Sequence, residues 1–294
     1  MYTYEYKTLH DLYALAEKNK TTLAEIVVRH ESESSERSAE RIRAIMNSRI
    51  DVFQESIEAG LKDAGKSVSG LVGGDAKKLQ DMAPHLLGPL AHKAEVYALA
   101  VSEANAKMFK IVACPTAGSC GIVPAVMMAL SEELQLSRKQ LVDALFTAAG
   151  LGAVVSRNAS VAGAVGGCQA ECGTAAAMAA AAAAELAGGT NRMILEAFAL
   201  CMKNTLGLAC DPVAGLVEVP CVKRNAVFAV EALAAAEMAL AGVESVIPPD
   251  EVIAAMAEIG RIMPVALKET SDGGLARTAT GKAIAQRLEK SMAE

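Results

Sequence analysis

The sequence has no tryptophan, and aromatic residues make up only 3% of its 294 residues. Hydrophobic residues nevertheless account for 52%, so the core must be built from Ala, Leu, Val, Ile and Met, which suit close packing of helices. The chain is long enough to bury a large core in one big domain or two modest ones. Its mean hydropathy of +0.29 is high for a soluble protein and favours burial of apolar surface against another chain.

Basic clusters, a secretory leader and a membrane span are also missing. The net charge is -6, and the densest charged run, residues 37–43, alternates in sign, which excludes a nucleic-acid-binding stripe. Residues 1–11 lack the apolar core of a signal peptide. The alanine-rich stretch 174–187 is too short for a membrane span and is bracketed by Glu171 and Glu185. We therefore expect a cytoplasmic protein that binds neither nucleic acid nor membrane.

Strand-like alternation is scarce, and the best candidate, Lys110–Ala113, is only four residues long. Helical spacing of apolar residues dominates instead. The sequence thus predicts an all-α fold, one large helical domain over residues 1–294 with glycine-rich inter-helical loops. Residues 1–65 are a candidate separate helical layer. The later helices are predicted at 87–108, 174–187, 191–209, 224–241 and 249–260.

Several residues mark the expected ends of these helices. Thr22 with Glu25 has the spacing of a capping box, and Ser137 with Gln140 has the same spacing. Gly188-Gly189 and Gly260 are suitable stops. The Gly-, Ser- and Asn-rich stretch 156–173 is predicted to be irregular.

The seven cysteines point away from a disulfide framework, because their number is odd and no export signal is present. Three of them lie at glycine- or proline-marked turns: Cys168 after Gly166-Gly167, Cys210 before Asp211-Pro212, and Cys221 after Pro220. Backbone N–H groups at such turns can stabilise anionic sulfur. Their separations of 42 and 11 positions match no compact ferredoxin or zinc-finger pattern, so buried free cysteines remain an alternative on spacing alone.

The residues around these cysteines are more informative than their spacing. The segments GGCQAECG, LGLACDPVAGLVEVPCVKRNA and ACPTAGSCGIVPA closely resemble the alpha chain of bacterial iron–sulfur L-serine dehydratases, as do GLVGGDAKKLQ, NKTTLAEIVVRHE and PVALKETSDGGLARTATGK. The resemblance covers nearly the whole chain. It implies a lyase that converts L-serine to pyruvate and ammonia. It also implies a [4Fe-4S] cluster held by Cys168, Cys210 and Cys221, with the fourth iron open to the substrate hydroxyl as a Lewis acid.

The PTAGS segment is a candidate cradle for the substrate carboxylate. Thr116 and Ser119 supply hydroxyls, and Ala117 and Gly118 let backbone N–H groups approach closely; the alternative is an ordinary helix N-cap before Ile122. Two other polar residues, Asn158 and Ser160, are similar candidates. Supporting roles around the site are expected for Glu171, Asp211, Arg224 and Asn225, each of which has a simpler alternative as a cap or ion-pair member.

The remaining cysteines are expected to play lesser parts. Cys172 stands one helical turn after Cys168, where a core thiol is the simpler interpretation than a further ligand. Cys114 and Cys120 flank the PTAGS segment and are expected near the site without ligating.

A general base is missing from the sequence, because none of its four histidines lies in a cysteine motif. In the resembled family a Ser-Ser-Ser-His-Thr segment belongs to the beta chain or to the first half of fused enzymes. The resemblance therefore implies a beta chain as partner, in a heterodimer or higher oligomer, and little activity from this chain alone.

Other functions remain open at this stage. The same elimination could act on L-cysteine or L-threonine. A pyridoxal-phosphate enzyme would need a lysine and a phosphate loop on an α/β scaffold, for which strands are lacking. A non-catalytic helical subunit with incidental cysteines is the third alternative.

Overall fold

The structure, a computed structural model, describes residues 2–293 and shows thirteen α-helices there with no β-strand. This confirms the predicted all-α fold. The helices are α1 Leu9–Lys18, α2 Leu23–Ser35, α3 Ala39–Lys62, α4 Asp75–Gln80, α5 Pro89–Ala106, α6 Ile122–Glu133, α7 Arg138–Asn158, α8 Gly163–Gly166, α9 Thr174–Leu186, α10 Asn191–Asn204, α11 Cys221–Leu240, α12 Pro249–Ile262 and α13 Ala279–Ala293.

The alanine-rich helix α9 is the centre of the fold. Every residue of α9 except Glu185 is buried, and the helix packs against α6, α7, α10 and α11. Alanine side chains allow four helices to approach one helix closely, and larger residues there would overpack the core. No helix among the described residues is both long and apolar enough to cross a membrane.

The first three helices share the hydrophobic core with the rest of the chain. Leu12 of α1, Ile26 of α2 and Ile50 of α3 are fully buried in the same cluster as the alanines of α9. Helix α2 packs on α7, and α3 packs on α5 and α7. A separate layer for residues 1–65 stays a prediction, as does the single domain over residues 1–294.

Two of the predicted helix ends form as expected and one forms only in part. Ser137 and Gln140 make a complete capping box at the start of α7. Thr22 accepts a hydrogen bond from the Glu25 N–H, but the Glu25 carboxylate pairs with two arginines instead of returning to the cap. Gly188, with φ of 85°, ends α9 as predicted.

The segment 156–173 is more helical than its composition predicted. Helix α7 continues to Asn158, and α8 is followed by a π-helical turn over Gln169–Gly173 that leads directly into α9. Most of residues 166–173 are buried among other helices, which favours internal hydrogen bonds there over the loop that glycine favours locally; residues 156–158 extend the exposed end of α7.

Gly260 does not end a helix, since α12 continues to Ile262. A Cβ at Gly260 would lie 3.1 Å from the Gly166 Cα, so its role is close packing of α12 on α8. Two further bounds differ from the prediction: α10 stops at Asn204, before Gly207 with φ of 86°, and α11 begins earlier, at Cys221.

Candidate metal centre

Cys168, Cys210 and Cys221 lie on three separate segments that meet beside the start of α11. Cys168 follows Gly167, whose φ of 76° turns the chain into the π-helical turn. Cys210 lies in an extended segment bridged to Lys268. Their side chains are buried, with 1%, 2% and 7% of each residue exposed. The structure thus places all three predicted ligands at one buried site.

Cys168 is the thiol of this group that loses its proton most readily. Hydrogen bonds donated by the Cys172 and Cys210 thiols lower the pKa of Cys168 to about 3; burial opposes this, and the Arg224 guanidinium adds to the lowering. The same contacts raise the pKa of Cys172 and of Cys210 well above the usual range. Burial raises the pKa of Cys221 to about 12, and the charge at Cys168 adds to the rise.

This donor set fits a group that carries positive metal ions. Metal cations deprotonate the thiols that coordinate them, so such a group would supply the charge that lets Cys210 and Cys221 ionise beside Cys168. Cys221 is also the first residue of α11, where free backbone N–H groups and the helix dipole favour a thiolate.

Carboxylates lie against the same sulfur atoms. One ligand atom from each of Glu171, Cys210 and Glu269 lies within 4.8 Å of the other two, and the Cys210 Sγ lies 3.8 Å from Glu171 Oε2. Burial raises the pKa of Glu171 to about 7, and the charges at Cys168 and Glu269 add to the rise. A Cβ on Gly163 would lie 3.0 Å from the Cys210 Sγ and 2.7 Å from Glu171 Oε2. Glycine at this position therefore leaves room for both side chains.

Arg224 joins the Cys221 helix to the Cys210 segment. Its Nη1 donates to the Ala209 carbonyl and its Nη2 to the Asp211 carboxylate, both at 2.9 Å. The other Asp211 oxygen accepts the Leu275 N–H at 2.8 Å. The Arg224 guanidinium is therefore held beside the Cys168 thiolate by Ala209 and Asp211, the residues on either side of Cys210.

Asn225 connects the same helix to the PTAGS segment. Its Oδ1 accepts the Gly121 N–H at 2.9 Å, and its Nδ2 donates to the carbonyls of Gly118 and Cys221 at 2.8 and 2.9 Å. The residue is fully buried. These three bonds fix the PTAGS turn relative to Cys221.

The PTAGS segment forms a 3-10 turn over Ala117–Ser119. Thr116 lies close enough to the Glu171 carboxylate for its hydroxyl to lower the pKa of Glu171, and a Cβ on Gly118 would lie 3.6 Å from Glu171 Oε1. Ser119 is fully buried, and its hydroxyl lies 3.1 Å from the Thr116 hydroxyl. Thr116 and Gly118 thus face the site, whereas Ser119 bonds within its own turn and Ala117 is exposed with its carbonyl accepting from Asn105.

The structure places Asn158 and Ser160 outside this group. The Asn158 Nδ2 donates to the Lys7 carbonyl at 2.8 Å, and the Ser160 hydroxyl accepts the Ala162 N–H at 3.1 Å. Both line a separate cavity beside α12, and their role in substrate binding stays a prediction.

The other cysteines are buried at the edges of the site or beyond it. Cys114 and Cys120 flank the PTAGS turn, and burial raises the pKa of Cys114 to about 12. Cys201 is fully buried in α10. Cys172 lies closer, with its thiol bonded to Cys168.

The most informative residue that the sequence did not reveal is Gln169. It is fully buried, and its Nε2 donates to the carbonyls of Gly166 and Met256 while its Oε1 accepts the Gly207 N–H. Its own N–H donates to the Leu208 carbonyl at 3.2 Å. Gln169 therefore ties the Cys168 turn to the approach of Cys210; its place next to Cys168 was the available signal.

Two buried carboxylates were also missed, and both bind the segment over residues 67–75. Glu218 accepts the hydroxyls of Ser67 and Ser69 at 2.7 and 2.6 Å. Glu103 accepts the N–H groups of Gly74 and Asp75 at 2.9 and 2.8 Å, which caps the start of α4. Glu103 lies in no segment that the sequence analysis set apart, whereas Glu218 lies within the LGLACDPVAGLVEVPCVKRNA segment itself, where the cysteines were the more conspicuous residues.

Comparison with known proteins gives one family. Residues 18–276 match the sequence profile described as "Serine dehydratase alpha chain". The chain is 47% identical over 286 residues to "Probable L-serine dehydratase, alpha chain" of Bacillus subtilis, covering 96% of this chain and 95% of that one. It is 41% identical over 280 residues to "L-serine dehydratase, alpha chain" of Peptoniphilus asaccharolyticus, covering 94% and 96%.

A longer relative aligns over only part of its length. The "L-serine dehydratase" of Helicobacter pylori is 34% identical over 282 residues, which cover 94% of this chain and 62% of that enzyme. Profile and relatives agree with the resemblance seen in the cysteine motifs. The chain belongs to the serine dehydratase alpha chain family.

Proposed function

We propose that this chain is the cluster-binding subunit of a cytoplasmic L-serine dehydratase, which converts L-serine to pyruvate and ammonia. The observation that carries the proposal is the meeting of Cys168, Cys210 and Cys221 at one buried site beside Arg224. Family membership supports the substrate, since the relatives are named L-serine dehydratases.

Cys168, Cys210 and Cys221 would hold a [4Fe-4S] cluster, which when bound supplies Lewis acidity toward the substrate hydroxyl. The other residues of this chain bind and orient. Arg224 offsets thiolate charge at Cys168. Thr116 and Gly118 present a hydroxyl and a close backbone approach beside Glu171, and the substrate carboxylate is proposed to bind to this turn.

A second chain is proposed to complete the enzyme. The relatives with nearly the same length as this chain are named alpha chains, and the Helicobacter pylori enzyme has sequence beyond the region that aligns. A base that removes the α-proton would come from that partner, a beta chain. Purified alone, this chain is therefore expected to bind iron but to turn over serine slowly.

The deciding experiment is anaerobic reconstitution of the full chain with iron and sulfide, followed by metal analysis. Alanine at Cys168, Cys210 or Cys221 should each remove most of the bound iron. Cys201→Ala is the matched control, because that thiol is equally buried but lies away from the site. Cys172→Ala should bind as much iron as the wild type if Cys172 is only a neighbouring thiol. A loss of iron in this variant would instead identify Cys172 as a ligand.

Activity is then measured with and without a beta chain. Full turnover by this chain alone would contradict the two-subunit proposal, and wild-type iron content in all three alanine variants would contradict the cluster. Absorption in the pyridoxal region without bound iron would instead favour a pyridoxal-phosphate enzyme.

A further inference from the structure

A second charged cavity lies away from the cysteines, between α2, α3, α7 and the N-terminal segment. Its volume is about 280 Å³, and its polar lining consists of Tyr6, His30, Glu31, Arg37, Arg49 and Arg157. Aliphatic and aromatic side chains of the three helices form the floor. The size suits a small organic or inorganic ion rather than a large cofactor.

The lining carries positive charge that the protein does not neutralise. Three arginines against the single Glu31 leave a net +2. Within residues 2–293, no carboxylate lies within 4.0 Å of the guanidinium groups of Arg37, Arg49 or Arg157. The ion pairs formed by arginine belong to other positions in the chain. Like charges gathered at one cavity repel each other, so an anion between them would be stabilised.

Few hydrogen bonds use these guanidinium groups. Arg157 donates to the Tyr6 carbonyl at 2.7 Å, and Arg49 Nη1 lies 3.9 Å from the Met46 sulfur. Each guanidinium has five N–H donors, so most donors at this cavity remain available. Planar guanidinium groups match carboxylate and phosphate oxygens in pairs.

Tyr6 and His30 also line this cavity. The Nδ1 atom of His30 is buried and has no hydrogen-bond partner among the described residues. The His30 ring centroid is 4.9 Å from that of Tyr6. Burial raises the pKa of Tyr6 to about 12, although Arg157 opposes the rise, so its hydroxyl keeps its proton. A buried nitrogen without a partner is costly, but water cannot reach this one, so it would meet a ligand oxygen only after the ring turned toward the cavity.

From this arrangement we infer that the cavity binds a small anion of the carboxylate or phosphate class through Arg37, Arg49 and Arg157. The site is distinct from the cysteine centre, since the two share no lining residue. A neighbouring cavity that also contains Arg49 reaches Cys114 and Pro115, at the start of the PTAGS segment. The inference does not depend on the proposed serine chemistry.

The test is thermal unfolding and calorimetric titration of the full chain with inorganic phosphate and, separately, with pyruvate. Sodium chloride is replaced step by step so that ionic strength stays constant, because general screening would otherwise change stability. A saturable rise in melting temperature with either probe supports the inference, and the probe that saturates at lower concentration identifies the class. No saturable response to either probe would overturn it.

Variants separate this cavity from general surface charge. Arg157→Gln and Arg37→Gln should each weaken binding by at least about tenfold, because each removes a charge-assisted contact. Arg37 forms no side-chain hydrogen bond within the described residues, so Arg37→Gln tests the site even if loss of the Arg157 contact to Tyr6 impairs folding. Arg41→Gln, on the exposed surface outside the cavity, should bind like the wild type. Equal weakening in Arg41→Gln and Arg37→Gln would contradict a specific site.

Discussion

Replacing Gln169 with glutamate is the sharpest test of how the cysteine site is held together. The change keeps the shape of the side chain and keeps an acceptor for the Gly207 N–H. It removes the amide donor that now serves the Gly166 and Met256 carbonyls at 2.9 and 3.1 Å. A neutral carboxyl could donate to one of these carbonyls, and a charged one to neither.

The expected loss of stability depends on how many of the two donated hydrogen bonds disappear. Leaving one of these buried carbonyls without the glutamine donor costs about 1–3 kcal/mol. A charged glutamate donates to neither the Gly166 nor the Met256 carbonyl. A neutral one can donate to one of them, but keeping the carboxyl neutral adds a further cost. We expect the free energy of unfolding to fall by about 2–4 kcal/mol. Because Gln169 joins the Cys168 turn to the approach of Cys210, iron uptake on reconstitution should fall with it.

Urea unfolding of the apo chain and iron analysis after reconstitution measure the two effects. Gln140→Glu is the matched control, since Gln140 is exposed at the third position of α7 and a capping box accepts either residue. A Gln169→Glu chain that unfolds within about 0.5 kcal/mol of the wild type, the range of ordinary surface changes, and binds full iron would refute the positioning role.

Two further predictions change the partly buried carboxyl of Glu185 and the glycine at position 163. Burial raises the pKa of Glu185 from 4.5 to about 7, so its contribution to stability is complete below pH 4.5 and is lost as the pH rises to 7, by about 3 kcal/mol in all. Glu185→Gln should remove that loss, so urea unfolding should show a smaller stability difference between pH 5 and pH 8. Glu133→Gln, at an exposed position, should keep the wild-type difference. If stability changed with pH equally in Glu185→Gln and the wild type, this prediction would be wrong. Gly163→Ala would place a methyl group 2.7 Å from Glu171 Oε2 and should lower iron uptake without loss of helix by circular dichroism. Gly88→Ala, which meets no atom within 4 Å, should change neither.

The features that the sequence predicted correctly depend on local chemistry. The Ser137–Gln140 capping box, the Gly188 stop and the buried alanine-rich helix need only neighbouring residues and the 3.6-residue period. Motif resemblance, rather than spacing, selected the three cysteines, and the structure then placed them together at one site.

The features that were missed depend on partners far away in the chain. Within the stretch 156–173, the π-helical turn Gln169–Gly173 forms where the chain is buried, although the neighbouring glycines favour a loop locally. Gln169 acquires its role from Met256, and Glu218 from Ser67, over separations of 87 and 151 positions. A single sequence contains no sign of such contacts, because each residue alone is compatible with an exposed loop.

The buried polar residues around the site follow one pattern, in which a side chain from one cysteine segment bonds to the backbone of another segment. Gln169 links the Cys168 turn to the Cys210 segment, Arg224 links α11 to the same segment, and Asn225 links α11 to the PTAGS turn. Such bonds do not depend on a metal, so the protein itself can hold the three thiols near one another before any cluster enters. The conformational entropy of these segments is then lost when the protein folds, and not when the cluster binds. Exchange of the Gly207 amide should accordingly be slow in the apo chain, and rapid exchange there would mean that the cluster, and not Gln169, orders the site.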